Sequence, residues 1–177
     1  MRALIFILSC AAVLSGQSLS GRRAPSFSLP DGNQVQHDIL DSRGKWLLLS
    51  FIKTSNCPSC AALSSAVEQI KKQGGAKMDA LFIMISPPEN ANSAARYIVD
   101  NKLTSPILFD QSQVAIAYYK ATPARPGIDT PHLFVINPAG LIVKDWGEGA
   151  VAPYLDEHRR PSLSGEIQAL INGTAAK

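Results

Sequence analysis

Seven consecutive residues, Trp46-Leu-Leu-Leu-Ser-Phe-Ile52, include one small polar side chain and are otherwise wholly apolar. Strand side chains alternate between two faces, so a run that is apolar at nearly every position has no face to turn to water. It reads as a strand buried on both sides. Such a strand belongs inside a sheet with helices packed on both faces. Downstream the apolar spacing changes: Leu63, Val67 and Ile70 fall three and four apart, and Lys71-Lys72 and Gly74-Gly75 supply the basic last turn and the stop of a helix.

The remaining segments repeat this alternation. Phe27–Leu29 and Val35–Ile39 flank Pro30-Asp31-Gly32-Asn33, which predicts an N-terminal hairpin. Leu81–Ile85 is a second buried strand, stopped by Pro87-Pro88. Ala94, Ala95, Ile98 and Val99 suggest a helix; Ile107–Phe109 is a short strand; Asp110 is placed to cap a helix running through Tyr119. Leu133–Ile136 and Leu141–Val143, joined by Asn137-Pro-Ala-Gly140, form a second hairpin. Residues 147–162 form an irregular loop, and a C-terminal helix spans 163–173. The order predicts an α/β fold with a central mixed sheet.

The first twenty residues stand apart. Met1-Arg2 carries one charge, Ala3–Leu14 is apolar for twelve residues, and Ser15–Gly21 is small and polar, which is the pattern of a secretory signal peptide. Cleavage is expected after Ser20, with Gly16 as second choice; a retained anchor and a lipoprotein acylated at Cys10 are the other readings. The domain is then 21–177. Of three cysteines, the exported chain keeps Cys57 and Cys60, in a compartment where disulfides persist. The 17 Lys and Arg exceed the 14 Asp and Glu by three and form no single basic run, which argues against nucleic-acid binding.

The chemistry gathers in Thr54-Ser-Asn-Cys57-Pro-Ser-Cys60, where the buried strand gives way to the helix. That position puts the first thiol at a helix N-terminus, whose unsatisfied amides and dipole favour a thiolate, and the second one turn further in. Pro58 suits the first helical position, having no amide hydrogen to waste. Lys53 adds a nearby positive charge. Cys60 can then attack a mixed disulfide on Cys57 and release the product. Half of a zinc site has the same spacing, but no second CxxC or HxxxH completes it, and His37, His132 and His158 lack ligand spacing. A purely structural disulfide would close too short a loop to stabilise much.

In combination, Arg23-Ala-Pro-Ser-Phe-Ser-Leu-Pro-Asp31, Arg43–Phe51, Cys57-Pro-Ser-Cys60, Pro106–Asp110 and Thr130–Gly140 resemble the thioredoxin-like superfamily. Within it the chain looks most like the TlpA/ResA-type periplasmic thiol-disulfide oxidoreductases and the broader AhpC/TSA, or redoxin, group. The resemblance implies a thioredoxin fold with an N-terminal hairpin and an inserted helix and strand. It gives Thr130-Pro131 the role of a cis-proline loop that offers backbone hydrogen bonds to a bound partner. Pro58 and Ser59 would face the same partner, and Lys53 and Thr54 would tune the thiol. Asn56 departs from the aromatic residue common before the first cysteine. Ser50 stands near the place of the buried acid of thioredoxins, and Glu89 is a loose substitute for it.

The expected function is exported thiol-disulfide exchange with protein partners and an upstream redox partner, by a monomer without cofactor or metal, since no nucleotide, flavin or NAD motif is present. A thiol peroxidase is the alternative: Thr54-x-x-Cys57 resembles the peroxiredoxin motif, although Ser50 replaces its proline and Cys60 stands where a glutamate is common. A Sco-like copper chaperone is the third reading, weakened by CxxC in place of CxxxC and by Asp129 at the approximate place of the histidine ligand.

Overall fold

A computed structural model of the chain describes residues 19–85, 90–110, 113–119, 129–156, 158 and 161–175. A small antiparallel hairpin, β1 (Ser28–Pro30) and β2 (Gln36–Asp38), precedes the main sheet. Five strands follow: β3 (Trp46–Ile52), β4 (Met78–Met84), β5 (Ile107–Phe109), β6 (His132–Ile136) and β7 (Ile142–Trp146), in the spatial order β5-β4-β3-β6-β7. The first three run parallel, and β6 and β7 are antiparallel to their neighbours. Helices α1 (Pro58–Gly74), α2 (Ala91–Asp100), α3 (Gln113–Tyr119), α4 (Glu148–Val151) and α5 (Leu163–Ala175) complete the architecture.

The apolar run at 46–52 occupies the centre of the sheet, and every one of its residues is buried. Trp46, Leu48 and Ile52 join one core cluster, beneath α1, α2 and α5, with Cys60, Leu63, Val67, Tyr97 and Ile167. Leu47, Leu49 and Phe51 join a second on the opposite face, with Tyr118 of α3. Phe51, Tyr118 and Phe134 pack ring against ring there at centroid separations of 5.1 to 5.8 Å. Such aromatic pairs add about 0.5–1.5 kcal/mol each beyond their area. Asp110 accepts from the amides of Val114 and Ala115, holding the start of α3.

Glu68, on the inner face of α1, is only 2% exposed. Its carboxylate accepts from the Thr104 hydroxyl and from the Ser105 amide at 3.2 Å, so the middle of α1 is tied to the loop entering β5. Burial alone pushes this carboxyl up; the two hydrogen bonds and the Lys71 charge outweigh it and hold it below the usual glutamate range.

Residues 19–24 run alongside β7: the Gly21 amide donates to Ile142, the Ile142 amide to Arg22, and the Ala24 amide to Gly140. Asp31 makes an isolated bridge to Leu108 at the other edge of the sheet. Leu19 is buried in the second cluster. The leader expected over residues 1–20 lies, up to residue 18, outside the described residues, as do Cys10 and Glu89. The stretch expected to be irregular, 147–162, holds the helical turn α4 and a 3-10 turn at Ala152–Leu155. A four-residue helix is too short to show a period in sequence, whereas the longer α5 is legible.

Candidate active site

β3 ends at Ile52, and residues 53–57 turn the chain into α1. The turn needs a left-handed residue, and Asn56 supplies it at φ +50°; a short polar side chain tolerates that region better than most. Cys57 is the N-cap of α1 and Pro58 opens the helix. Cys57 and Cys60 form a disulfide with Cα atoms 5.2 Å apart. The two sulfurs differ in access: Cys57 is half-buried, whereas Cys60 is fully buried among Ile52, Leu63 and Leu133.

Two backbone amides are aimed at the sulfurs. Cys60 N–H donates to Cys57 Sγ at 3.2 Å, and Lys53 N–H donates to Cys60 Sγ at 3.4 Å. In the reduced protein each amide would face the sulfur on which negative charge develops. Lys53 thus reaches the pair through its backbone, a contribution that its side-chain identity does not reveal. The Ser59 hydroxyl lies 3.6 Å from Cys57 Sγ. Pro58 is exposed beside the disulfide. The Thr54 hydroxyl donates to Met84 Sδ at 3.8 Å and to Ser93 Oγ at 3.5 Å, which links the turn to the first turn of α2.

Thr130 and Pro131 are buried, and the peptide between them is cis. His132 pairs with Phe51 in the β3–β6 register; continuing that register brings Pro131 and Thr130 level with Ile52 and Lys53, at the end of the sheet that carries the cysteines. His132 itself is buried, stacks on Phe134 at 4.4 Å, and holds Asp145 of β7 at 2.5 Å through Nε2. The sequence gives no hint of this pair, because its members lie thirteen positions apart on neighbouring strands. Asp129 sits 3.8 Å from His132 Nδ1 and accepts from the Glu148 amide. Ser50 is fully buried, on the same side of β3 as Leu48 and Ile52, which face α1.

A central mixed sheet with a disulfide at the strand-to-helix junction defines an oxidoreductase of the thioredoxin-like class. More specifically, the chain belongs to the AhpC/TSA family, whose model matches residues 20–145. It is 25% identical over 154 residues to the thiol-disulfide oxidoreductase ResA of Bacillus subtilis, covering 80% of this chain and 79% of that protein. It is 28% identical over 130 residues to the Helicobacter pylori protein named "Putative peroxiredoxin bcp", covering 70% and 84%. Among solved structures, the thioredoxin domain of a thiol-disulfide oxidoreductase from Bacteroides vulgatus superposes with a TM-score of 0.61 at 16% identity, over 86% of this chain and 98% of that one.

Proposed function

We propose that the protein is an exported thiol-disulfide oxidoreductase that exchanges disulfides with protein partners through Cys57 and Cys60. The observation that carries this reading is the unequal exposure of the two sulfurs at the first turn of α1, one half-buried and one sealed in the core. Only the outer sulfur is open to a partner, so Cys57 is the nucleophile. In the reduced protein the Cys57 thiolate attacks a partner disulfide, forming a mixed disulfide and expelling one partner thiolate. Cys60 then attacks Cys57 Sγ, closes the Cys57–Cys60 bond and expels the second thiolate. The partner gains two electrons and the pair loses two. An upstream dithiol restores the reduced pair by the reverse sequence.

Thr130 and Pro131 supply backbone at the cysteine end of the sheet for a bound segment, with Pro58 and Ser59 on the other side of it. Lys53 and Thr54 shape the turn that holds Cys57. Export rests on the charged and apolar pattern of residues 1–20. ResA, by its name a thiol-disulfide oxidoreductase, supports the reaction class. The test is a Cys57→Ser variant assayed for dithiothreitol-dependent reduction of a disulfide-bonded protein. Activity should vanish; survival of the rate overturns the mechanism.

The peroxiredoxin-named relative, together with Thr54 three residues before Cys57, supports thiol peroxidase activity as a second reading. Rapid sulfenate formation at Cys57 with micromolar hydrogen peroxide would place it ahead of the first.

A further inference from the structure

At the end of the sheet opposite the cysteines lies a pocket of about 200 Å³. Its floor is apolar, formed by Ile39, Leu47 and Ile136, all buried, and its mouth carries Arg23, Arg43 and Lys45. Among the described residues no carboxylate lines it. The cations are only partly engaged. Arg23 gives one guanidinium hydrogen to Ala139 O at 3.2 Å; Lys45 lies 3.8 Å from Asp79, which also accepts from Ser42; Arg43 is exposed, with no ion pair among the described residues. Beside Arg43, Leu40 is 47% exposed, one of few large apolar side chains among the described residues so open to water. Asp38 and Asp41 lie on the same turn, where their carboxylates accept from its backbone amides and keep their charge.

Three cations around an apolar floor, with an exposed leucine at the lip, complement an anion that carries hydrocarbon. Arg22 adds a further positive charge next to Arg23, where the chain runs beside Ile142 and Gly140 at this end of the sheet.

We infer that this pole is a membrane-docking surface, on which Arg23, Arg43 and Lys45 hold the phosphate of an anionic phospholipid headgroup while Leu40 enters the interfacial layer. β3 separates the two ends of the molecule by seven residues, roughly 23 Å at about 3.3 Å per residue, so docking turns Cys57 away from the lipid.

The test is sedimentation of the full chain with vesicles of phosphatidylcholine alone, or carrying about one third phosphatidylglycerol. Each basic side chain near an anionic surface contributes roughly a factor of five in affinity, so R23Q/R43Q/K45Q should bind the anionic vesicles about one hundredfold more weakly. Arg43→Gln alone should cost about fivefold and, being an exposed site, leaves folding intact. Leu40→Ser should weaken binding several-fold. Capture by pure phosphatidylcholine reads Leu40 and any retained apolar N-terminus, and should be equal in the parent and the cation variants. The disulfide-exchange rate should also be unchanged, and circular dichroism should show every variant folded.

Equal binding of the triple variant and the parent to anionic vesicles overturns the proposal. So does displacement by millimolar inorganic phosphate, which would assign the pocket to a soluble anion, or tighter binding of an acidic peptide through the same three cations. Cys57→Ser should bind vesicles like the parent, so the surface and the redox chemistry fail or stand separately.

Discussion

Replacing Glu68 by Gln keeps the shape of the side chain and removes its charge, in a place where the charge is buried and hydrogen-bonded. The carboxylate receives the Thr104 hydroxyl and the Ser105 amide, with Lys71 nearby. Hydrogen bonds to a charged group are worth about 1.5–3 kcal/mol net, and the amide nitrogen of Gln would also face a donor that has lost its acceptor. A loss of about 1.5–3 kcal/mol at neutral pH lowers the unfolding midpoint of a domain this size by about 3–12 °C. The pH dependence provides the sharper check. Because the folded-state carboxyl titrates below its unfolded value, its stabilisation is fully present above the ordinary glutamate range and is lost as pH falls through the folded value. Urea denaturation of parent and variant from pH 7 down to pH 3 should therefore show a gap that narrows with acidity. A gap of constant size across that range would refute the reasoning, since it would assign the loss to packing. Disulfide-exchange activity should change little, because Glu68 lies three turns from Cys57 along α1.

Tyr118 is buried against Phe51 and Phe134, and its hydroxyl donates to Pro25 O at 3.0 Å. Tyr118→Phe should cost about 1 kcal/mol at neutral pH in thermal or chemical denaturation. Burial raises its phenol well above the usual tyrosine range, so its contribution holds below pH 10 and falls as pH rises toward the folded value; the variant should lack that alkaline loss. After reduction, brief alkylation under native conditions should label Cys57 and spare Cys60, read by peptide mass spectrometry, with both labelled in denaturant. Equal native labelling would contradict the burial of Cys60.

Much of the fold is legible because its central strand is extreme. Trp46–Ile52 is apolar on both faces, and the sheet grows outward from it; β5 at Ile107–Phe109 and the turn at 137–140 follow from equally local signals. Elsewhere a polar residue hides the boundary. β4 begins at Met78, three residues before the apolar run suggests, because Asp79 stays in the strand by accepting from Ser42 and facing Lys45. The cysteine pair is visible as a motif at a junction, with Cys60 one turn further in; that Cys60 is fully sealed while Cys57 is half open comes only from the packing around it. Glu68 reads in sequence as one more charge on a helix, and His132 as one more strand residue. Both become meaningful only when Thr104, Ser105 and Asp145 are brought beside them by the topology.

The segment before the first core strand touches both margins of the main sheet. Residues 21–24 hydrogen-bond along the start of β7, and Asp31 bridges to Leu108 in β5. Open strand margins invite pairing with other chains, and those of a largely apolar sheet are the most hazardous. One short stretch therefore guards against self-association at two places at once. Processing that removed the chain to about residue 31 would leave the cysteines and all five strands of the main sheet intact and still expose both margins, so that the product would be lost as aggregate even with its redox centre complete.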